Sequence, residues 1–312
     1  MQTATLSASA ASAPTTPAAQ RLHPSCPICG SRLLTRLWEV DGYPIVRCGG
    51  CSLVFVHRMM GREELAAHYA SGDPVYSDDA NRDCLDYYYN RLRGLIEARF
   101  SQPGKIFDVG CSSGWFLDVM HGWERHGCEI VAADAENARR QHGDRIFHGA
   151  FEEYSAPHGY FDVVTLQDVF DHCPDPMAVL SKCRGMLKEG GLLVVKVHNI
   201  SCLYAKLAGP GFYAIIPPSH LFYYDRGTLG LAAARSGFEV VQSKFIAHRL
   251  RLSTVFSRLS RGDKKSVAHR IHRALAGSRL GNVSVLKNLH DIVTILAVKR
   301  NALEIEDSTD VA

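Results

Sequence analysis

Apolar runs alternate with amphipathic helical patterns along most of this 312-residue chain. The runs are four to eight residues long and are bounded by glycine, proline or charged residues, which is typical of buried strands. They predict strands over residues 106–109, 129–134, 145–148, 161–167, 192–197, 238–241 and 292–298. Since strands separated by helices form parallel sheets covered by helices, the pattern predicts an α/β fold with a doubly wound sheet.

A helical pattern also precedes the first strand of this sheet. Residues 62–70 predict a short helix, and apolar positions from Leu85 to Phe100 recur at helical spacing. We interpret residues 61–103 as a helical connector that caps the predicted site. Tyr76 or Tyr88 could line that site, although ordinary packing is the favoured role for each tyrosine.

Four cysteines near the amino terminus form two Cys-x-x-Cys pairs. Cys26 and Cys29 are separated by 18 residues from Cys48 and Cys51, which is a spacing typical of zinc ribbons. Four thiolates suit tetrahedral zinc and leave no open coordination position, so the metal is predicted to be structural. A redox dithiol would not need two matched pairs. The sequence therefore predicts a four-cysteine zinc ribbon over residues 22–60.

Composition and charge restrict the remaining choices. The formal net charge of +3 is too small to indicate nucleic acid by itself, and no apolar run is long enough to cross a bilayer. Residues 1–21 are rich in Ala, Ser, Thr and Pro, lack the charged start of a secretion signal, and predict a disordered tail. Residues 301–312 are interpreted as a second tail. Most of the other cysteines stand singly in apolar segments, which is typical of a reducing compartment, so we expect a cytoplasmic protein.

The first strand of the sheet runs directly into a turn that contains two glycines, Gly110–Gly114. Glycine permits close approach of a ligand, and the helix predicted after the turn offers free N–H groups. The next predicted strand ends at Asp134, 20 residues after Gly114, where a doubly wound sheet binds ribose hydroxyls. Ser112 stands where a dinucleotide fingerprint needs its second glycine. An adenosine ligand other than a dinucleotide is therefore favoured.

The sequence Asp-Val-Gly-Cys-Ser-Ser-Gly at residues 108–114 resembles motif I of class I S-adenosylmethionine-dependent methyltransferases. Residues 161–195 are similar to the matching stretch of small-molecule methyltransferases related to the ubiquinone O-methyltransferases. The resemblance covers about residues 105–246 and 290–300. It implies a seven-stranded Rossmann-like sheet with an antiparallel last strand, a methyltransferase domain over residues 104–300, and S-adenosylmethionine as cofactor.

The resemblance also implies site residues at the carboxyl edge of the sheet. It places the cofactor against Asp108, Gly110, Cys111, Gly114, Asp134, Ala150, Phe151, Gln167 and Asp168. Ala150 stands where the family carries an acid for adenine, so backbone groups are expected to take over that role. Asp171 and His172 match the family's acid–His pair, and His220 begins a His-Leu-x-x-Tyr segment beside the acceptor. The pair His198-Asn199 falls at the same edge.

Methylation of a hydroxyl benefits from a general base, and histidine has a suitable pKa. His220 is the first candidate for this base and His172 the second. Each could instead be a structural or surface histidine, because the chain has fifteen. For an amine or an activated carbon as acceptor, neither would be essential.

Residues 247–289 form an insert between the last two predicted strands. From Ala247 to Leu280 the insert has nine Lys or Arg and one acid, with apolar residues at helical spacing. Basic amphipathic helices contact anionic membranes or RNA. We favour a lid that packs on its own domain, with a weak membrane-surface contact through residues 247–280 as the alternative.

The leading hypothesis is O- or C-methylation of a small molecule, of a biosynthetic, lipid or sugar type. The zinc ribbon ahead of the catalytic domain also resembles the C-methyltransferases of deoxysugar pathways. An RNA methyltransferase whose ribbon binds RNA is the second hypothesis, but only three arginines stand between the cysteine pairs, so nucleic acid is not the expected partner. A non-catalytic scaffold that binds S-adenosylmethionine is the third.

Overall fold

The structure is a computed structural model, and it describes residues 21–61, 64–65, 82–260 and 265–300. The amino-terminal tail up to residue 20, the tail at 301–312, most of the predicted helix over 62–70, and Tyr76 lie outside the described residues. Within the described residues the strands, in chain order, are β1 (Leu34–Val40), β2 (Tyr43–Cys48), β3 (Val54–Val56), β4 (Lys105–Val109), β5 (Glu124–Glu129), β6 (Ile146–His148), β7 (Phe161–Gln167), β8 (Leu187–His198), β9 (Phe222–Tyr223), β10 (Phe238–Lys244), β11 (His248–Arg251), β12 (Ser284–Lys287) and β13 (Ile292–Lys299).

Helices flank these strands, as the sequence pattern predicts. They are α1 (Arg82–Glu97), α2 (Trp115–Val119), α3 (Ala132–His142), α4 (Pro176–Met186), α5 (Leu203–Ala208), α6 (Arg226–Arg235), α7 (Leu252–Ser260) and α8 (Val267–Leu275). Short 3-10 turns lie at Gly143–Arg145, Phe151–Glu153, Phe170–His172 and Gly209–Gly211. The start of α4 is typical of its sequence, because the Asp175 carboxylate accepts from the Ala178 N–H at 3.0 Å and Pro176 follows.

Seven strands form the central sheet in the order β10-β13-β8-β7-β4-β5-β6. The strands β4 to β8 pair in parallel, whereas β13 is antiparallel to both of its neighbours. This confirms the predicted doubly wound, Rossmann-like sheet and its antiparallel last strand. Parallel strands present their carboxyl ends at one edge, so the ends of β4, β5, β7 and β8 meet there.

The strand β5 lies five residues earlier in the chain than the strand predicted over residues 129–134. Glu129 is its last residue, and Asp134 lies in the first turn of α3, so the prediction that Asp134 ends the strand is wrong. The apolar residues that suggested a strand, Ile130 and Val131, are 42% and 39% exposed in the turn between β5 and α3. The register of β5 is set by its pairing with β4, which a local apolar pattern does not encode.

A second, antiparallel sheet has the order β1-β2-β3-β9, and we call it the amino-terminal sheet. Its first three strands belong to the predicted ribbon, whereas β9 comes from the part of the chain that also forms the central sheet. Phe55 of β3 stacks on Phe222 of β9 with 6.1 Å between the ring centroids. Both rings belong to the hydrophobic core that also contains Val164 and Leu193 of the central sheet. The two sheets therefore share one core.

The insert contains a two-stranded antiparallel sheet of β11 and β12, with α7 and α8 between these strands in the chain. His248 of β11 stacks on Tyr88 of α1 at 4.6 Å between ring centroids, and Tyr88 is fully buried with its hydroxyl 3.1 Å from that of Thr294. In contrast, α8 has no buried residue. α8 therefore does not contribute to the buried core of the domain, and the lid stays a prediction.

Candidate active site and metal centre

The glycine turn after β4 has the conformation that its residues require. Gly110 and Gly114 have φ values of +66° and +84°, which favour glycine. A Cβ atom on Gly110 would lie 2.6 Å from Cγ2 of Val169, so the position is also sterically closed to larger residues. The N–H of the buried residue Cys111 donates to the Cys128 carbonyl at 3.0 Å, which joins the turn to β5. The prediction of a tight turn at the carboxyl end of β4 is confirmed.

Two carboxylates contact this turn from different elements. Glu129, at the end of β5, accepts from the N–H groups of Ser112 and Val131, both at 2.8 Å, and its burial raises its pKa. Asp134, in α3, accepts from the Ser113 hydroxyl at 3.0 Å. Sequence reasoning missed Glu129 because it placed β5 five residues too late. Glu129 therefore occupies the strand-end position that was expected for Asp134.

Asp108 supports the turn from inside the sheet. Its side chain is 3% exposed and accepts a hydrogen bond from the Thr165 hydroxyl of the neighbouring strand β7. Burial raises the pKa of Asp108 to about 7. At neutral pH the carboxyl group is therefore partly protonated, and its contacts fix β4 against β7 beneath the turn.

The loop after β6 lies beside the end of β5, since the Gly149 N–H donates to the Glu129 carbonyl at 2.9 Å. The Lys182 ammonium donates to the carbonyls of Phe151 and Tyr154 at 2.6 and 2.7 Å. The Ala150 N–H has an acceptor within the chain, the carboxylate of Glu153 at 3.4 Å. The expectation that backbone groups at Ala150 and Phe151 recognise adenine stays a prediction.

A buried ion pair lies where β7 and β8 end. Gln167 is the last residue of β7, and the Asp168 carboxylate that follows is 2.5 Å from the Lys196 ammonium of β8. Burial alone would raise the pKa of Asp168, but the Lys196 charge holds it below its usual value. The Lys196 ammonium also lies 4.5 Å from the ring centroid of Tyr88. The ion pair with Lys196 therefore holds Asp168 as an ionised group at the sheet edge where the parallel strands end.

Three histidines surround one carboxylate at the same edge. Asp171 is 1% exposed, and its oxygens lie 3.2 Å from Nδ1 of His198 and 3.7 Å from Nε2 of His172. The His220 ring centroid is 4.6 Å from that of His172 and 5.0 Å from that of His198. The two predicted histidines are thus together, and the structure adds His198 as a third.

The charges of this histidine cluster follow from its burial. Burial alone would raise the pKa of Asp171, but the imidazoles of His220, His172 and His198 hold it far below its usual value. Burial lowers the pKa of His220 to about 4. Its Nδ1–H donates to the Ala214 carbonyl at 2.7 Å, and among the described residues its Nε2 has no hydrogen-bond partner. His220 is therefore neutral at pH 7, with a lone pair on Nε2 that can accept a proton.

The four predicted zinc ligands lie close enough to share one ion. Their Sγ atoms all lie within 4.8 Å of one another, with 3.6 Å between Cys26 and Cys51 and 3.4 Å between Cys29 and Cys48. A tetrahedral zinc with Zn–S bonds of about 2.3 Å needs sulfurs about 3.8 Å apart. All four cysteines are free thiols and not disulfides. The donor set fits a structural zinc.

A second group of side chains also brings potential ligand atoms together. Atoms of Asp171, His172 and His220 lie within 4.8 Å of one another. One carboxylate and two imidazoles are donors that suit divalent transition metals. The same three side chains can also bind and transfer protons. Asp171, His172 and His220 therefore suit either metal binding or acid–base chemistry.

The amino-terminal sheet contacts the histidine cluster through the backbone. The Val56 N–H of β3 donates to the Leu221 carbonyl at 2.8 Å, and the Leu221 N–H donates to the Asp171 carbonyl at 2.9 Å. Leu221 directly follows His220. The position of His220 therefore depends on a strand that the cysteine site holds in place.

The sequence matches the family described as a methyltransferase domain over residues 81–243, more than half of the chain. It is 32% identical over 108 residues to a ubiquinone biosynthesis O-methyltransferase of Psychrobacter arcticus, covering 30% of this chain and 41% of that protein. It is 30% identical over 130 residues to the enzyme of the same name from Cereibacter sphaeroides, covering 37% and 51%. The chain thus spans about half or less of these curated relatives.

Among solved structures, the fold is similar to a chain from the complex of the Haloferax volcanii Trm112 methyltransferase activator. The TM-score is 0.50 at 16% sequence identity, and the match covers 78% of this chain and 100% of the other. At this identity the similarity concerns the fold alone.

Cys48→Ser should lower the bound zinc and loosen both β3 and the segment around His220, because one thiolate of the set is lost. Metal analysis by mass spectrometry and hydrogen exchange of the amides would measure the two effects. Cys84→Ser is the matched control, since Cys84 is a buried cysteine of α1 and, among the described residues, is absent from both hydrophobic clusters that contain residues of the ribbon. Unchanged zinc in Cys48→Ser would contradict the metal site.

Asp108→Asn should flatten the pH dependence of stability. The carboxyl pKa is about 7 in the folded state, against 3.8 for an ordinary aspartate. The folded protein keeps this proton while the unfolded chain loses it, so the stabilisation is present at low pH and is lost as the pH rises through about 7. From about pH 5 to about pH 8 the wild type should lose about 2.6 kcal/mol through this group. Denaturant titrations at several pH values would measure the free energy of unfolding, with Asp144→Asn at an exposed position as the control. If the free energy of unfolding changed with pH equally in Asp108→Asn and in the wild type, the effect of Asp108 burial would be refuted.

Proposed function

The chain belongs to the methyltransferase domain family, and from that premise we propose that it transfers a methyl group from S-adenosylmethionine to a small-molecule acceptor. The observation that carries the proposal is the meeting of three features at one sheet edge. These are the glycine turn after β4, the carboxylate at the end of β5, and the histidine cluster beyond β7 and β8. Such an edge is where an open α/β sheet binds its ligands.

On the cofactor side, Glu129 is the residue we propose for the ribose hydroxyls. It ends β5 beside the glycine turn, and a buried carboxylate that already accepts two N–H groups still has lone pairs for hydroxyl donors. The exposed side chain of Ile130 next to it offers an apolar surface for a purine ring. Asp134, Gly110, Gly114, Gln167 and Asp168 remain predicted cofactor contacts.

On the acceptor side, His220 is the proposed general base, with His172 as the alternative. The bound cofactor supplies an electrophilic methyl group, so the protein has to orient the acceptor and remove its proton. His220 is neutral and presents an unpaired Nε2, and the Asp171 carboxylate would stabilise the imidazolium formed when that nitrogen takes up the proton. His198, hydrogen-bonded to the same carboxylate, would help to hold Asp171 in place.

The partner we propose is a small molecule, since both curated relatives named above are ubiquinone biosynthesis O-methyltransferases. RNA as the acceptor and a non-catalytic scaffold are the alternatives, and no specific observation favours either. No helix among the described residues has the length and apolar character to cross a membrane. The cytoplasm stays the predicted compartment.

Glu129→Gln should weaken the binding of S-adenosylmethionine by about 1–1.5 kcal/mol, because a charge-assisted hydrogen bond becomes a neutral one. Titration calorimetry with S-adenosylmethionine and S-adenosylhomocysteine would measure it, with Asp134→Asn as the matched variant. If only Asp134→Asn lost affinity for S-adenosylmethionine, contact with the ribose hydroxyls would be assigned to Asp134 instead. Absence of binding to folded wild-type protein would contradict the proposed function.

His220→Asn should lower the rate of methyl transfer about 10²- to 10⁴-fold, because the base is lost. Asparagine can still donate to the Ala214 carbonyl, so cofactor affinity should not change. Transfer of radiolabelled methyl to a panel of phenolic and sugar hydroxyl acceptors would measure the rate. An unchanged rate would remove His220 from the base role, and the same loss in His172→Asn alone would assign the base to His172.

A further inference from the structure

The insert carries a surface on which exposed aliphatic and basic side chains are mixed. Among the described residues of the insert, six large apolar ones are exposed, between 37% and 69% of their area: Val267, Leu280, Val283, Val285, Leu286 and Leu289. Exposed apolar side chains that cluster mark surfaces that bind a partner. We call this set, with the exposed basic residues of the insert, the insert surface.

The charge of the insert surface has one sign. Exposed basic side chains accompany the apolar ones along the insert, at Arg249, Lys265, Arg270, Arg273 and Arg279. From Ala247 to His290 the sequence contains a single acid, Asp263. A partner of this surface therefore has to be both anionic and able to cover aliphatic side chains.

We propose that the insert surface docks on an anionic phospholipid bilayer. Leucine and valine side chains can enter the boundary between headgroups and acyl chains while arginines pair with lipid phosphates. The phosphates of RNA would pair with the arginines, but RNA would leave the aliphatic side chains without a partner. Proteins bind unpaired bases by stacking them on aromatic side chains or arginine planes. The six large apolar residues that are exposed in the described part of the insert are all aliphatic.

The strands of the insert are attached close to the site. His248 and Lys287 are paired across β11 and β12, and His248 stacks on Tyr88 at 4.6 Å between ring centroids. The Lys287 ammonium pairs with Asp291 and lies 5.2 Å from the ring centroid of Tyr213. That ring is 5.4 Å from the ring of His198. Docking would thus bring the histidine cluster near the lipid, although lipid binding itself does not depend on the proposed methyl transfer.

Flotation of the full-length, zinc-loaded protein with vesicles tests the proposal. Wild type should float with vesicles of phosphatidylcholine and phosphatidylglycerol in equal parts, and should not float with pure phosphatidylcholine. High salt should reduce the binding, because the charge component is screened. Failure of folded wild type to float with the anionic vesicles would overturn the proposal.

Two pairs of variants separate the charged and the apolar contributions. Arg270→Gln with Arg273→Gln should weaken binding about thirtyfold, given the usual contribution of a basic residue near an anionic surface. The same change at Arg140 and Arg145, exposed residues beside the opposite edge of the sheet, is the control. Leu286→Ser should weaken binding about tenfold through lost apolar burial, with Leu33→Ser, 72% exposed in the ribbon, as its control.

Other occupants of the surface would give different results. RNA binding that falls with the arginine pair and is unaffected by Leu286→Ser would overturn the proposal in favour of nucleic acid. A concentration-dependent dimer that Leu286→Ser abolishes, without vesicle binding, would overturn it in favour of a second copy of the chain. Equal losses in the control variants would show that net charge or general hydrophobicity, and not this surface, is responsible.

Discussion

Two antiparallel residue pairs, Val54 with Tyr223 and Phe55 with Phe222, join the amino-terminal sheet to the segment that carries His220. Backbone hydrogen bonds continue this connection from Val56 through Leu221 to Asp171. A zinc ribbon that was only an appendage would leave the catalytic half of the chain unchanged when the metal is lost. Here the ribbon supplies three strands of a four-stranded sheet whose last strand belongs to the site, so folding of the ribbon and order at the site are coupled.

The buried charges of the site are arranged in matched groups. Burial of an isolated carboxylate is costly, and each of these carboxylates is accompanied by a positive charge, an imidazole or an N–H donor. Asp168 has Lys196, Asp171 has its histidines, and Glu129 has two backbone N–H groups. Asp108 has only hydrogen bonds and a nearby carboxylate in Glu129, and its pKa rises accordingly. The groups are therefore positioned before any ligand binds, which is how a protein limits the reorganisation needed during a reaction.

Large parts of the fold and of the site could be predicted from the sequence because they depend on local patterns. The strand at residues 161–167, the capped start of α4 and the glycine turn agree with expectation, since apolar runs, N-cap residues and positive φ angles are encoded within a few residues. The cysteine spacing likewise determined which thiols lie together. The position of β5 could not be predicted in this way, because the apolar residues at 130–131 are exposed and polar residues occupy the strand.

The sequence by itself therefore determined the fold class and the four cysteines that lie together, and it predicted the region of the chain proposed as the site. Only the tertiary structure decided which acid ends β5, because strand register depends on pairing with β4 and not on the strand's own residues. Only the tertiary structure brought His198 to Asp171 and His220, which come from three separate segments. It also paired β3 with β9, since contacts between residues about 170 positions apart are set by packing of the whole core and leave no local signal in the chain.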